Sequence, residues 1–383
     1  MKFKPYSFWY LQQLIKDITP PHEVINLSIG EPQFQTPKII QEAVSKHTEE
    51  FRYYPPSEAT DYLSDALLGY IKYRYGLELK QSNIVHAFGT REALFNLPQF
   101  YLFDKPNPTI AYPNPGYMVY EGAALASKAK IIHMNLDKAN HFKPHLSKEE
   151  MKEVNVVILN SPNNPTGVAL NLEELKVWVK HALEYDFLLI CDECYCEIYE
   201  KDPPASILEA SFEVGNAGLK NIIAINSVSK RSCAPGLRSG YVAGNADFIA
   251  DYNLYRAYAG FSIPLPLQRG AAAAWNDRKA ADEIRQKFAS NLKLARECFS
   301  EIGVNVEPYS FYLWLEVFDD LDFCKRLYQE ESILVLPGTF LGSEGGGKGF
   351  IRIALVYESH IMQKALIKLK DFYLKYIQNF KKN

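Results

Sequence analysis

Short apolar runs alternate with helix-length segments through the middle of the chain. The runs are Ile84–Phe88, Ile110–Tyr112, Ile131–Met134, Val154–Leu159, Phe187–Cys191, Ile222–Ile225 and Tyr241–Ala243. They are too short for core helices and rich in residues that favour strands. Leu172–Tyr185 is one of the helix-length stretches between them. Runs that are apolar throughout predict strands covered on both faces. Their alternation with helices predicts crossover connections and a mostly parallel, seven-stranded sheet flanked by helices.

The pattern changes after about residue 280. A long helical region leads to Phe311–Val317, then a helix, then Ile333–Leu336 and Phe350–Leu355. In the last helix Met362, Leu366, Leu369, Tyr373 and Tyr376 recur at four- and three-residue steps, so they share one face and predict packing. The N-terminal stretch Met1–Ile18 predicts an amphipathic first helix, and we expect it to join the late elements. The expected fold class is α/β, with a large domain over residues 45–280. A smaller α+β domain is expected from residues 1–44 and 281–383.

Composition narrows the function. With 47% hydrophobic residues in 383, the chain can bury a sizeable core. A net charge of −3 gives no electrostatic footprint for nucleic acid or an anionic membrane. No apolar run reaches the length of a membrane span. The N-terminal apolar stretch is broken by Gln12, Gln13 and Lys16 and lacks a small-residue cleavage site, unlike a signal peptide. The six cysteines form no spaced disulfide framework, so reduced thiols and a cytoplasmic location are expected.

Four pieces carry candidate chemistry. Lys230, in Ser227-Val228-Ser229-Lys230, follows the apolar strand Asn221–Asn226. Open α/β sheets place ligands beyond such strand ends. An amine there can form an imine with an aldehyde if its pKa is depressed; alone, a solvated loop lysine is the plainer reading. Asp192 ends the strand Phe187–Cys191, and a buried carboxylate needs a partner such as a cationic ring nitrogen. A helix N-cap is the plain alternative. Asn160-Ser161-Pro162-Asn163-Asn164-Pro165-Thr166-Gly167 is turn chemistry after another strand. Phe88-Gly89-Thr90-Arg91 turns from a strand into a helix, whose free N–H groups suit a phosphate.

In this order and company the pieces resemble the class I/II aminotransferases of pyridoxal phosphate (PLP) fold type I, over nearly the whole chain. The joint signature is Asn-Pro-Thr-Gly at 164–167, Asp192-x-x-Tyr195, and Ser-x-Ser-Lys ending at Lys230 with Arg238 eight residues later. The resemblance implies that Lys230 binds PLP covalently and that Asp192 pairs with the pyridine nitrogen. Asn164 and Tyr195 would contact the ring oxygen. Thr90, Arg91, Ser227 and Arg238 would hold the phosphate, with Tyr117 against the ring. Arg352 would clamp the substrate α-carboxylate, with Gly30 near the substrate. The plain alternatives are a strand-end salt bridge for Arg352 and core packing for Tyr117.

Tyr54 matches the family tyrosine that reaches the neighbouring subunit's phosphate, so a homodimer with shared sites is expected. Here the sequence departs from pattern, because Ala59 replaces the usual glycine and Leu63-Ser64 replaces Leu-Arg. Tyr53 is a possible substitute. Cys191-x-x-Cys194-x-Cys196 lacks a second cysteine pair and predicts no zinc site. Gly345–Gly349 lacks the frame of a phosphate loop and reads as a mobile surface loop.

The expected reaction moves an amino group from an amino-acid donor to a 2-oxo-acid acceptor by a ping-pong mechanism. Ser229–Ser232, Ala234–Gly244, Leu254–Tyr258, Ala273–Asp277 and Phe311–Trp314 look similar to the succinyldiaminopimelate aminotransferases of bacterial lysine synthesis. Aspartate, alanine and aromatic aminotransferases are the alternatives. A PLP-dependent lyase on the same fold and a non-enzymatic PLP sensor are more distant ones.

Overall fold

A computed structural model describes residues 3–380. Residues 1–2 and 381–383, which belong to the expected small domain, lie outside the described residues. The strands in chain order are β1 (Ile25–Asn26), β2 (Ile84–Ala87), β3 (Thr109–Asn114), β4 (Lys130–Asn135), β5 (Val156–Asn160) and β6 (Leu188–Asp192). They continue as β7 (Ile222–Ser227), β8 (Gly240–Gly244), β9 (Tyr312–Glu316), β10 (Ile333–Leu334), β11 (Leu336–Pro337) and β12 (Phe350–Ala354).

The seven apolar runs form one sheet in the order β2-β8-β7-β6-β5-β3-β4. Every pairing is parallel except those of β8, which runs antiparallel to both β7 and β2. Alternate residues of the central strands feed two cores. Val157, Leu159 and Leu189 pack on one face, with Leu175 and Val179 of the helix Leu172–Tyr185. Val156, Ile158, Leu188 and Ile190 pack on the other, with Leu94 and Leu97 of the helix Thr90–Leu102. Burial on both faces explains why these strands read as unbroken apolar runs.

A third core gathers Phe288, Leu292 and Phe299 of the helix Arg278–Ser300 with β9, β12 and the last helix, Ser359–Phe380. The expected stripe on that helix is buried: Met362, Leu366, Leu369 and Tyr376 fully, Tyr373 in part. β9, β12 and β11 form an antiparallel sheet, and β1 pairs in parallel with β10. The expected strand Ile333–Leu336 is thus two strands, because the chain changes partner at buried Val335. The first helix is Ser7–Ile15, tied down by Ser7 Oγ donating to the Phe340 carbonyl at 2.7 Å.

The glycine-rich loop departs from expectation. Ser343 N donates to Asn114 Oδ1 at 2.8 Å, and Asn114 Nδ2 donates back to the Ser343 carbonyl at 2.9 Å. A Cβ on Gly346 would lie 2.5 Å from Asn114 Oδ1, and one on Gly347 would lie 2.4 Å from the Gly338 carbonyl. The glycines let this loop pack tightly on β3 and on Gly338, so it is a tethered segment. Among the described residues no helix is long and apolar enough to cross a membrane, and no cluster of metal-ligating side chains occurs.

Candidate active site

The sheet topology aims five connections at one edge. β3, β5, β6 and β7 are parallel, so Asn114, Asn160, Asp192 and Ser227 end side by side at their carboxyl ends. β2 is antiparallel to β8, which is antiparallel to β7, so β2 ends at this edge too, and β8 starts there just after Arg238. A cavity of about 430 Å³ opens at that edge. Gly30, Thr90, Arg91, Tyr117, Asn164, Asp192, Tyr195, Ser227, Lys230, Arg238 and Arg352 all line it. Tyr54 does not; it is fully exposed elsewhere, and Tyr53 is 57% exposed.

Lys230 lies in the short helix Val228–Arg231, which begins as soon as β7 ends. Ser227 caps it by accepting from Ser229 N at 3.1 Å. Lys230 Nζ donates to the Gly30 carbonyl, and burial lowers its pKa to about 8. A fraction of the amine is therefore neutral near physiological pH, as imine chemistry requires.

Asp192 is 4% exposed. Its Oδ2 accepts from Tyr120 Oη at 2.8 Å and its Oδ1 from Cys194 N at 3.2 Å. Burial pushes its pKa up, against the bonds from Cys194 and Tyr120. A cationic ring nitrogen beside it would hold the carboxylate ionised.

At the sheet's other side, Gly89 has φ +74° and opens the helix Thr90–Leu102 without a side-chain cap. Its missing Cβ would lie 2.2 Å from Arg238 Nη2. Arg238, itself at φ +57°, donates through Nη1 to the Pro235 carbonyl at 2.7 Å and through Nη2 to the Phe88 carbonyl at 3.1 Å. Burial first, and then the neighbouring Arg91, hold Arg238 below the usual guanidinium range. Two cations beside free helix N–H groups form a site for an anion such as a phosphate. Arg91 Nε donates to Tyr117 Oη at 2.7 Å, which sets the Tyr117 ring at the cavity wall.

Opposite, Arg352 projects from β12 and is 4% exposed. Nη1 donates to Asn164 Oδ1 at 2.8 Å and Nη2 to the Ser28 carbonyl at 2.7 Å. Both acceptors are neutral, and buried Nε has no hydrogen-bond partner. A buried guanidinium on neutral oxygens suits an incoming carboxylate. Asn164 is held in turn by its own N–H donating to Asn160 Oδ1 at 2.7 Å.

The donor set fits PLP: an amine with depressed pKa, a buried carboxylate, and an anion cradle in one cavity. Sequence reasoning missed Tyr120, Cys194 and Tyr312, which line it together with Tyr6 and Phe8 of the first segment. Tyr120 follows Tyr117 by one turn, its N–H donating to the Tyr117 carbonyl at 3.0 Å, and that nearness to Tyr117 in the sequence was a signal for it. The others arrive through tertiary contacts, such as Cys194 Sγ with Thr90 Oγ1 at 3.1 Å.

Comparisons with known proteins agree with this geometry. Aminotransferase AspB from Helicobacter pylori 26695 has a solved structure that superposes with a TM-score of 0.96 at 48% identity, over 98% of this chain and 100% of that one. The aspartate aminotransferase of Bacillus subtilis is 30% identical over 92% of this chain and 91% of its own. The LL-diaminopimelate aminotransferase of Aquifex aeolicus is 28% identical over 97% of both. The family model for aminotransferase class I and II matches residues 22–367, and the chain accordingly belongs to the class I and II aminotransferases, PLP-dependent transaminases.

Proposed function

We propose that this aminotransferase transfers the amino group of N-succinyl-LL-2,6-diaminopimelate to 2-oxoglutarate, giving the succinylated 6-oxo acid and glutamate, and runs the reverse reaction from those two products. The carrying observation is the extent of the space. The main cavity shares Ser7, Tyr117, Met118 and Leu341 with a second hollow of about 320 Å³, bordered by Lys4, Tyr10, Asn114 and Gly342. A short diacid needs no such extension, whereas a long acyl arm does. The tracts 229–244 and 311–314 support the same substrate class, as does the similarity to a relative that acts in diaminopimelate chemistry. Side-by-side kcat/KM values with 2-oxoglutarate test the reading. The succinylated substrate is expected to exceed aspartate and phenylalanine; a higher value for aspartate would favour the activity named for the Bacillus subtilis relative.

The residue roles implied by the resemblance are supported by the shared cavity. Thr90, Arg91, Ser227 and Arg238 would hold the cofactor phosphate, and Asp192 the ring nitrogen. Asn164 and Tyr195 would face the ring oxygen and Tyr117 the ring. When bound, PLP supplies an aldehyde for the substrate amine and a cationic ring that accepts the electron pair left at Cα. Arg352 holds the α-carboxylate close to Gly30 and so presents Cα to Lys230. Lys230 Nζ removes the Cα proton and holds it for return, which its lowered pKa permits. One carboxylate anchor serves both half-reactions, so donor product leaves before acceptor binds and kinetics are ping-pong.

We propose a homodimer in which Tyr54 reaches the neighbouring site, supported by its full exposure beside Tyr53 and Phe51. Residues 45–280 would form one domain, and 1–44 with 281–383 the other, supported by the third core and the β1–β10 pairing. Six free cysteines support a cytoplasmic location.

A further inference from the structure

Tyr312 opens β9, where it pairs with Ala354 two residues beyond Arg352. It is 3% exposed and touches three groups of the site at once. Its ring centre lies 4.4 Å from the Arg352 guanidinium carbon. Its hydroxyl lies 3.2 Å from the hydroxyl of Tyr195, and either can donate. That same hydroxyl fills the space beside Gly30, where a Cβ would come within 1.8 Å of it. The Tyr312 carbonyl lies 3.2 Å from where a Cβ of Gly167 would stand, so the strand also abuts the loop that carries Asn164.

These contacts differ in kind. A ring face attracts a guanidinium without using any of its N–H donors. Nη1 and Nη2 already reach Asn164 and Ser28, so a hydrogen-bonding support would compete with the substrate for what remains. The Tyr312 ring fixes the guanidinium plane and leaves its edge free for a carboxylate. The hydroxyl has a second task. A Tyr195 hydroxyl that accepts from Tyr312 donates more strongly to its own acceptor.

We propose that Tyr312 is a positioning residue that couples the carboxylate anchor Arg352 to the Tyr195 phenol, its ring serving the first and its hydroxyl the second. This rests on the reading of Arg352 and Tyr195 given above. Tyr312 also requires that residue 30 be glycine, since any side chain there would displace its hydroxyl.

The test uses holoenzyme and glutarate, an unreactive dicarboxylate, with Kd measured by calorimetry and the bound cofactor's visible absorbance titrated with pH. Tyr312→Phe keeps the ring; its glutarate Kd is expected within about twofold of the parent, since the face contact survives. Its absorbance midpoint is expected to rise by about half a pH unit or more, because Tyr195 donates less strongly to the ring oxygen. Tyr312→Leu loses both, and its Kd is expected to weaken about tenfold. Arg352→Lys is measured alongside. If Arg352→Lys weakens glutarate and folded Tyr312→Leu does not, the anchor stands and the Tyr312 inference is overturned. If Arg352→Lys leaves binding unchanged, the anchor reading fails and takes this inference with it. Should Tyr312→Leu not fold, an unchanged absorbance midpoint in Tyr312→Phe overturns the coupling by itself.

Discussion

Burial of Lys230 links its protonation to folding. Its pKa falls from 10.5 to about 8 in the folded protein. A lysine with a lowered folded pKa binds fewer protons folded than unfolded between those values. Stability therefore rises with pH through that window, and below it the buried charge is a constant penalty. In cofactor-free protein, Lys230→Met is expected to stabilise by on the order of 2 kcal/mol at pH 7, allowing for partial solvation and the lost bond to Gly30. The advantage should vanish as pH approaches 10.5. Thermal melts of both proteins across pH 7–10.5 check this; a gap that does not change with pH would contradict the linkage. Arg352→Lys keeps the charge but loses the planar fork. KM for donor and acceptor is expected to rise roughly 10–100-fold, the worth of a charge-assisted hydrogen bond. A change in only one substrate would show that the two do not share this anchor. Lys230, Asp192 and Asn164 were singled out in the sequence by the order and company of their motifs, each close to the end of an apolar run. Tyr312 was not, since its contacts with Arg352, Tyr195 and Gly30 come from three separate segments, 40, 117 and 282 residues away in sequence, and no local pattern reports them.

The turn at Gly89 shows how an element creates a site. Strand β2 ends, the backbone takes φ +74°, and the helix Thr90–Leu102 starts with its N–H groups toward the cavity. A side chain at 89 would strain that turn and press on Arg238. Gly89→Ala is expected to weaken cofactor binding by at least about fivefold, from strain of roughly 1–3 kcal/mol. Equilibrium dialysis with PLP measures it, and unaltered affinity would remove this turn from the cradle. The central strands of the large sheet were readable because strands buried on both faces are apolar throughout, and the edge strand β4, exposed at Lys130 and Asn135, was readable from Ile131, Ile132 and Met134. The break at Val335 was hidden, because Ile333–Leu336 is equally apolar on either side of the change of partner. The tether of Gly345–Gly349 was hidden too. Glycine runs suggest freedom in sequence, but here they permit backbone contact with Asn114 and Gly338.

At the scale of the whole molecule, the strand order brings Thr90 and Arg238, 148 residues apart in the sequence, to one sheet edge. Gly30 and Arg352 close the cavity from elements outside that sheet. A site that also takes Tyr54 from a second copy would permit complementation. Mixing Tyr54→Ala and Lys230→Ala chains, each nearly inactive alone, should restore up to about a quarter of parental activity, since statistical mixing makes half the dimers hybrid and each hybrid carries one intact site. No recovery in mixtures shown to contain hybrids would mean that Tyr54 serves its own subunit or none. The most direct measurement concerns Lys230. Borohydride reduction of the holoenzyme, followed by digestion and mass mapping, fixes the cofactor to the amine that holds it. The predicted result is one phosphopyridoxyl group, on the peptide containing Ser229-Lys230-Arg231, and none in Lys230→Ala. A label on any other lysine, or undiminished labelling of Lys230→Ala, would contradict the account.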